Sequence, residues 1–115
     1  MATFKDRVRE TTNTTGQGDI TLEGAVISFN SFGSAFGVDE TFYYAIVDDL
    51  NAEWEIGEGS LANDATIKRT TVYDSTNGGE KVDFGSGQKS VFVTYPAKRA
   101  VTDTQAIAFS VALGG

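Results

Sequence analysis

Apolar and polar residues alternate with a period of two along most of the chain, and no stretch keeps a convincing 3.6-residue helical period. Thr41-Phe42-Tyr43-Tyr44-Ala45-Ile46-Val47-Asp48 is the clearest run. Phe42, Tyr44 and Ile46 share one face of the expected strand; Tyr43, Ala45 and Val47 share the other. A strand apolar on both faces belongs in the middle of a sheet or under a partner subunit. Asp48-Asp49-Leu50-Asn51 then reads as a turn, and Glu53-Trp54-Glu55-Ile56-Gly57 returns as the second arm of a hairpin. Its alternation puts Trp54 and Ile56 inward and Glu53 and Glu55 in solvent.

The same pattern predicts a strand at Ile20-Thr21-Leu22-Glu23 and a second apolar run at Ala25-Val26-Ile27-Ser28-Phe29, followed by a small-residue loop through Ser34. Further strands are expected over 65–73, 81–84 and 90–95. Gly16-Gln17-Gly18-Asp19, Asn77-Gly78 and Gly85-Ser86-Gly87 are turns, and the single proline, Pro96, closes the 90–95 run. Short strands separated by glycine-rich turns predict an all-β protein. The architectures left open are a small β-sandwich, a jelly-roll-like fold and a partly open barrel, with extended N- and C-terminal segments.

Three parts follow from this reading: an N-terminal arm or edge strand over 1–15, a β-rich core over 16–101, and a C-terminal strand or arm over 102–115. Arg7-Val8-Arg9-Glu10-Thr11-Thr12 is polar and threonine-rich, as an edge strand or arm would be. Near the other end, Ile107, Phe109, Val111 and Leu113 form an apolar face opposite Ala106, Ala108, Ser110 and Ala112. That segment is either a final strand of the same sheet or an arm added to a neighbouring subunit's sheet edge. Arg7, Arg9, Ile107, Phe109, Val111 and Leu113 are the candidate intersubunit contacts.

Composition removes much chemistry. The 115 residues include no histidine and no cysteine. Histidine-based nucleophilic catalysis, thiolate chemistry and zinc-hydrolase sites are thereby excluded. Glu53, Glu55 and Glu58 lie near the only tryptophan, Trp54, but a carboxylate-pair hydrolase needs a cleft that so small a chain hardly offers. Asp48-Asp49-Leu50-Asn51-Ala52-Glu53 is rich in oxygen donors, yet Trp54 stands where an EF-hand requires glycine. No catalytic residue, cofactor or metal site is expected.

Charge changes the picture more. The net charge is −7, but all eleven acids between Glu10 and Ile67 occur without one base, leaving nine bases against five acids elsewhere. Nucleic-acid binding is disfavoured, and a two-signed molecule that docks head to tail or onto a basic neighbour becomes a candidate. The pairs Lys68-Arg69 and Lys98-Arg99 are read as solvent-facing or partner-binding. No apolar run approaches the roughly 20 residues that cross a bilayer. Residues 1–7 lack the apolar core of a secretory signal, so a soluble protein made without export and without a membrane partner is expected.

An ordered set of short stretches resembles a β-rich virion module of tailed bacteriophages, found as small free-standing proteins and as opening domains of tail-fibre-like chains. The stretches are Asp6–Thr12 with Gly16 and Gly18, Thr21–Val26, Phe42–Ile46, Trp54–Gly59, Arg69–Val72, Ser75–Gly79 and Val91–Val101. The resemblance implies a non-enzymatic structural role in the virion, after assembly in the host cytoplasm. It brings no catalytic or metal-binding residues. After Val101 the chain departs from fibre-type members, which favours a capsid decoration (cement) protein or a small adaptor that attaches fibres. The alternative is a tail-fibre or receptor- and carbohydrate-binding module using Trp54 and Tyr43. Expected partners are further copies of the chain, as a trimer, and virion proteins such as the major capsid or neck and tail proteins.

Overall fold

The computed structural model describes residues 4–97. The expected C-terminal strand or arm, with Ile107, Phe109, Val111 and Leu113, and the Lys98-Arg99 pair lie outside the described residues. The chain is all-β. Its strands are β1 (Arg9–Thr12), β2 (Ile20–Ala25), β3 (Thr41–Asp48), β4 (Glu53–Asn63), β5 (Thr66–Ser75) and β6 (Lys89–Val93), with a four-residue helix α1 (Phe32–Ala35) between β2 and β3. Hydrogen bonding closes them into an antiparallel barrel in the order β1-β2-β5-β4-β3-β6. Every strand therefore has two neighbours. Arg9–Thr12, within the segment read as an arm or edge strand, pairs with β2 on one side and β6 on the other.

Closing six strands forces the long ones to bend, and the bend is visible in the register. β4 and β5 run in register from Asn63 opposite Thr66 to Glu55 opposite Ser75, interrupted by shifts at Ile56/Gly57, Glu58/Gly59 and Leu61/Asn63. Such bulges add local twist and let a strand turn the corner of a barrel. Gly57 and Gly59 sit at these shifts on the inner face. A Cβ on Gly57 would overlap the Thr71 carbonyl oxygen and lie 2.8 Å from the Tyr44 hydroxyl oxygen. The two glycines make room for the Tyr44 ring inside the barrel.

The interior is filled by alternate residues of the strands: Ile20 and Leu22 from β2, Phe42, Tyr44 and Ile46 from β3, Leu61, Ile67 and Val91 from the others. Both ends are plugged. At the start of β3, Phe32 and Phe36 of the α1 region pack on Phe42, with ring centroids 5.2 and 4.6 Å away. Ser31 caps this helix by accepting from the Ser34 amide, and Glu10 accepts from the Phe32 amide at 2.7 Å, tying α1 to β1. At the other end Val82 and Phe84 are buried. They belong to a loop held by a bridge between Phe84 and Gly16, where the alternation suggested a strand.

β3 is apolar on both faces, as its pattern requires. On its outer face Tyr43 is covered by aromatics from the ends of the described chain: it is 1% exposed beneath Phe4 and Tyr95, with centroids 5.5 and 5.8 Å away. Two expectations fail. β2 ends at Ala25, and residues 26–29 form a turn with Ser28 at φ 70° and Ile27 90% exposed, so Ala25–Phe29 is not a strand. The β4 alternation is inverted: Glu55 is fully buried, whereas Trp54 and Ile56 face outward and are only partly covered. The inner face of this strand offers a polar partner and glycine clearance rather than an apolar pocket, and apolar periodicity cannot detect that.

Gly57→Ala should destabilise the protein by about 3 kcal/mol, because the methyl meets main chain of the adjacent strand. Gly18→Ala, where nothing lies within 4 Å of the added carbon, should be nearly neutral. Urea unfolding of both variants checks the contrast.

Candidate functional site

Two constellations of charged side chains stand out, one inside the barrel and one on its surface. The inner one is built on Glu55 of β4 and Arg69 of β5, which face each other near the Val82 end. Arg69 donates from Nε to Glu55 Oε2 at 2.9 Å and from Nη2 to Glu55 Oε1. Its remaining N–H groups go to the carbonyls of Gly16 and Gly18, both at 3.1 Å, and of Val82 at 2.7 Å. All five guanidinium donors are used. Glu55 is saturated in turn: Oε1 also accepts from the Val82 amide at 2.8 Å, and Oε2 from the Tyr44 hydroxyl at 2.6 Å.

Electrostatics follow from this packing. Burial, reinforced by the Glu55 charge and hydrogen bond, holds the Tyr44 hydroxyl well above its ordinary pKa. Burial works against the Arg69 charge, but the Glu55 hydrogen bonds and charge outweigh it, so the guanidinium stays above its ordinary value. The pairing corrects the reading of Lys68-Arg69 as one surface pair. Lys68 is exposed and lies 3.7 Å from Asp39, while Arg69 points inside. Lys89 is also internal: its ammonium donates to the carbonyls of Thr14, at 2.9 Å, and Gly85. These groups are enclosed and committed to one another.

The surface constellation gathers Arg7 and Arg9, the two described members of the expected contact set. Arg7 sits just before β1 at φ 56°, a left-handed conformation uncommon for a residue with a side chain. Its guanidinium lies 4.0 Å from the Phe29 ring centroid and donates from Nη2 to the Ser28 carbonyl at 3.2 Å. Arg9 points outward from β1 between Phe29 and Phe92, at 5.8 and 5.6 Å, and donates from Nη2 to Ser90 Oγ at 3.0 Å. Its Nε is buried without a hydrogen-bond partner. Together with Lys5, Val8 and Val93 these residues line a shallow groove of about 200 Å³. Among the described residues the ion pairs are Lys68–Asp39 and Arg69–Glu55, so no carboxylate pairs with Lys5, Arg7 or Arg9.

The sequence brought Arg7 and Arg9 to notice but missed Lys5, Phe29 and Phe92, which come from three distant stretches. Of the candidate sugar platform, Tyr43 is buried and Trp54 is partly covered on the outer face of β4. Asp48 is buried and accepts from the amide and side chain of Asn51, at 3.2 and 2.9 Å, shaping the β3–β4 turn. Among the described residues no cluster of three or more histidine, cysteine, aspartate or glutamate side chains could hold a metal ion. Comparison with protein families, with curated proteins and with solved structures found no match.

Glu55→Gln leaves the enclosed Arg69 charge without its counter-ion and should cost about 3–5 kcal/mol in chemical denaturation. Because the folded state raises the Tyr44 pKa, its contribution is fully present below the unfolded tyrosine value of about 10 and falls away as pH rises beyond it. Stability measured above pH ~10 should therefore decline less steeply in Tyr44→Phe than in the wild type.

Proposed function

We propose that this protein is a non-enzymatic structural component of a tailed-bacteriophage virion, as a capsid decoration protein or a small fibre-attaching adaptor. The observation that carries the reading is the outer face of β6, β3 and β4. Registers align Phe92 with Ala45 and Ala45 with Ile56, and place Val47 beside Trp54 and Ser90. Phe92, Ile56, Val47 and Trp54 all point away from a barrel that is already filled, and all are only partly covered. A contiguous apolar face of this kind marks an interaction surface. It fits a component that must contact neighbours repeatedly over a symmetric particle.

The side chains best suited to acid–base chemistry, Glu55, Tyr44 and Lys89, are buried and locked in place, which favours a structural role over a carboxylate-pair hydrolase. Of the two aromatics named for the receptor- or carbohydrate-binding alternative, Tyr43 is covered and Trp54 faces outward. That alternative predicts saturable glycan binding with quenching of Trp54 fluorescence, which the structural reading does not.

Quantitative mass spectrometry of purified particles tests the proposal. On the order of hundreds of copies per particle would mean capsid decoration, and about a dozen or fewer a neck or tail adaptor. Absence from the particle would overturn the reading. Deleting residues 102–115 should abolish incorporation while circular dichroism still reports a folded β protein; wild-type occupancy by the truncated chain would refute that role for the segment.

A further inference from the structure

The barrel carries complementary features at its two ends. Where β3 turns into β4, Leu50 is 84% exposed at the tip of the hairpin. Its surroundings are acidic: Asp49 precedes it, and Glu53 and Asp83 line the same depression with Asn51, Gly85 and Ser86. Lys89 nearby is turned inward on two carbonyls, and exposed Lys81 lies two residues before Asp83. At the opposite end, where β1 begins and β6 finishes, lies the groove of Arg7, Arg9 and Lys5 with apolar walls from Phe29, Phe92 and Val93. One end is an apolar knob with carboxylates. The other is an apolar recess with unpaired cations.

We infer that the Asp49-Leu50 tip of one copy seats in the Arg7–Phe29–Phe92 groove of the next, joining copies of this chain head to tail. The inference builds on the structural reading above and specifies one of its contacts. Leucine fills the recess between the rings while the Asp49 carboxylate meets the guanidinium of Arg7 or Arg9, which lie 4.0 and 5.6 Å from the Phe29 and Phe92 ring centroids. The left-handed backbone at Arg7 and Ser28 orients this rim at a conformational cost, as strained residues at binding sites often do. Because knob and recess lie on different surfaces, the contact is heterologous and generates a ring if the rotation closes and a filament if it does not. A single tip contact is small, so it gains strength from ring closure or from repetition on a particle.

The chain has no native cysteine, which makes disulfide trapping unambiguous. Full-length Leu50→Cys protein is mixed with Arg7→Cys protein under mild oxidation, with Leu50→Cys plus Lys68→Cys as the control pair on an exposed site away from the groove. Lys5→Cys replaces Arg7→Cys if the latter folds poorly by circular dichroism. The expected result is mixed-dimer formation at least about tenfold faster than the control, slowed by added salt and by Asp49→Lys, and restored when Asp49→Lys is combined with Arg9→Glu on the opposite partner. Trapping no faster than the control, or unaffected by Asp49→Lys, would overturn the inference. So would loss of particle incorporation in Arg9→Glu with no change in self-trapping, since the groove's occupant would then be a different virion protein. Each of these outcomes is separate from the presence of the chain in particles, which tests the structural reading itself.

Discussion

A guanidinium and a carboxylate enclosed in the barrel hold its parts in one arrangement. Arg69 and Glu55 connect β4 to β5, reach β3 through the Tyr44 hydroxyl, and bind the 16–18 turn and the Val82 loop through main-chain groups. Removing two charges from water is costly, and their attraction offsets that cost only when every lone pair and proton finds a partner. Here every one does. The gain is in register as much as in energy. A one-residue slip of β4 would turn Glu55 to solvent and leave Arg69 enclosed without a counter-ion. The glycines at 57 and 59 belong to the same arrangement, because they clear the space in which Tyr44 reaches Glu55.

This arrangement also explains which parts of the fold were legible in the sequence. The all-β class, the two-faced β3 strand and the hairpin after Asp48 follow from alternation and turn chemistry, since at those positions burial and apolarity coincide. They part company at β4. Its inner face reads Glu55, Gly57, Gly59, Leu61, and three of those four residues carry no apolar signal. Two glycines at alternate positions of one strand were the available clue, because they mark a face where another group approaches closely. The partner, Arg69, looked like half of a surface pair because its neighbour Lys68 is one. Closure of the barrel was illegible for a different reason. It depends on pairing β1 with both β2 and β6, contacts between distant segments that local pattern does not encode. The surface groove has the same origin: Arg7 and Arg9 are two residues apart in sequence, but Phe29 and Phe92 reach them only through that closure.

The charge map changes meaning once the side chains are placed. Three acids of the acid-only stretch, Glu10, Asp48 and Glu55, are buried and already satisfied by amides, by Asn51 or by Arg69. Of the three only Glu55 is compensated by a counter-ion; Glu10 and Asp48 are hydrogen-bonded to neutral donors. Two bases, Arg69 and Lys89, are likewise internal. In the exposed remainder Lys5, Arg7 and Arg9 gather on the groove, and Asp49, Glu53 and Asp83 around the β3–β4 tip, while Asp6 and Asp64 also lie at the groove end. The contrast is therefore local to groove and tip rather than to two lengths of chain.

Closure limits how such a molecule can join others. Every described strand has a neighbour on each side, although β2 meets β5 only at Ile20–Ile67 and Thr21–Thr66, so closure leaves little edge for an added strand. Side chains offer the larger contact surfaces: the partly covered outer face of β6, β3 and β4, the basic groove and the acidic tip. Side-chain contacts of this size are individually weak and, where they depend on exposed charge, are screened by salt. A weak, oriented and salt-sensitive contact suits a component that occupies many equivalent positions, because its binding is set by the number of contacts made together rather than by the strength of one. A barrel with a locked interior would suit the proposed role, since little conformational freedom remains in its strands to be lost on binding.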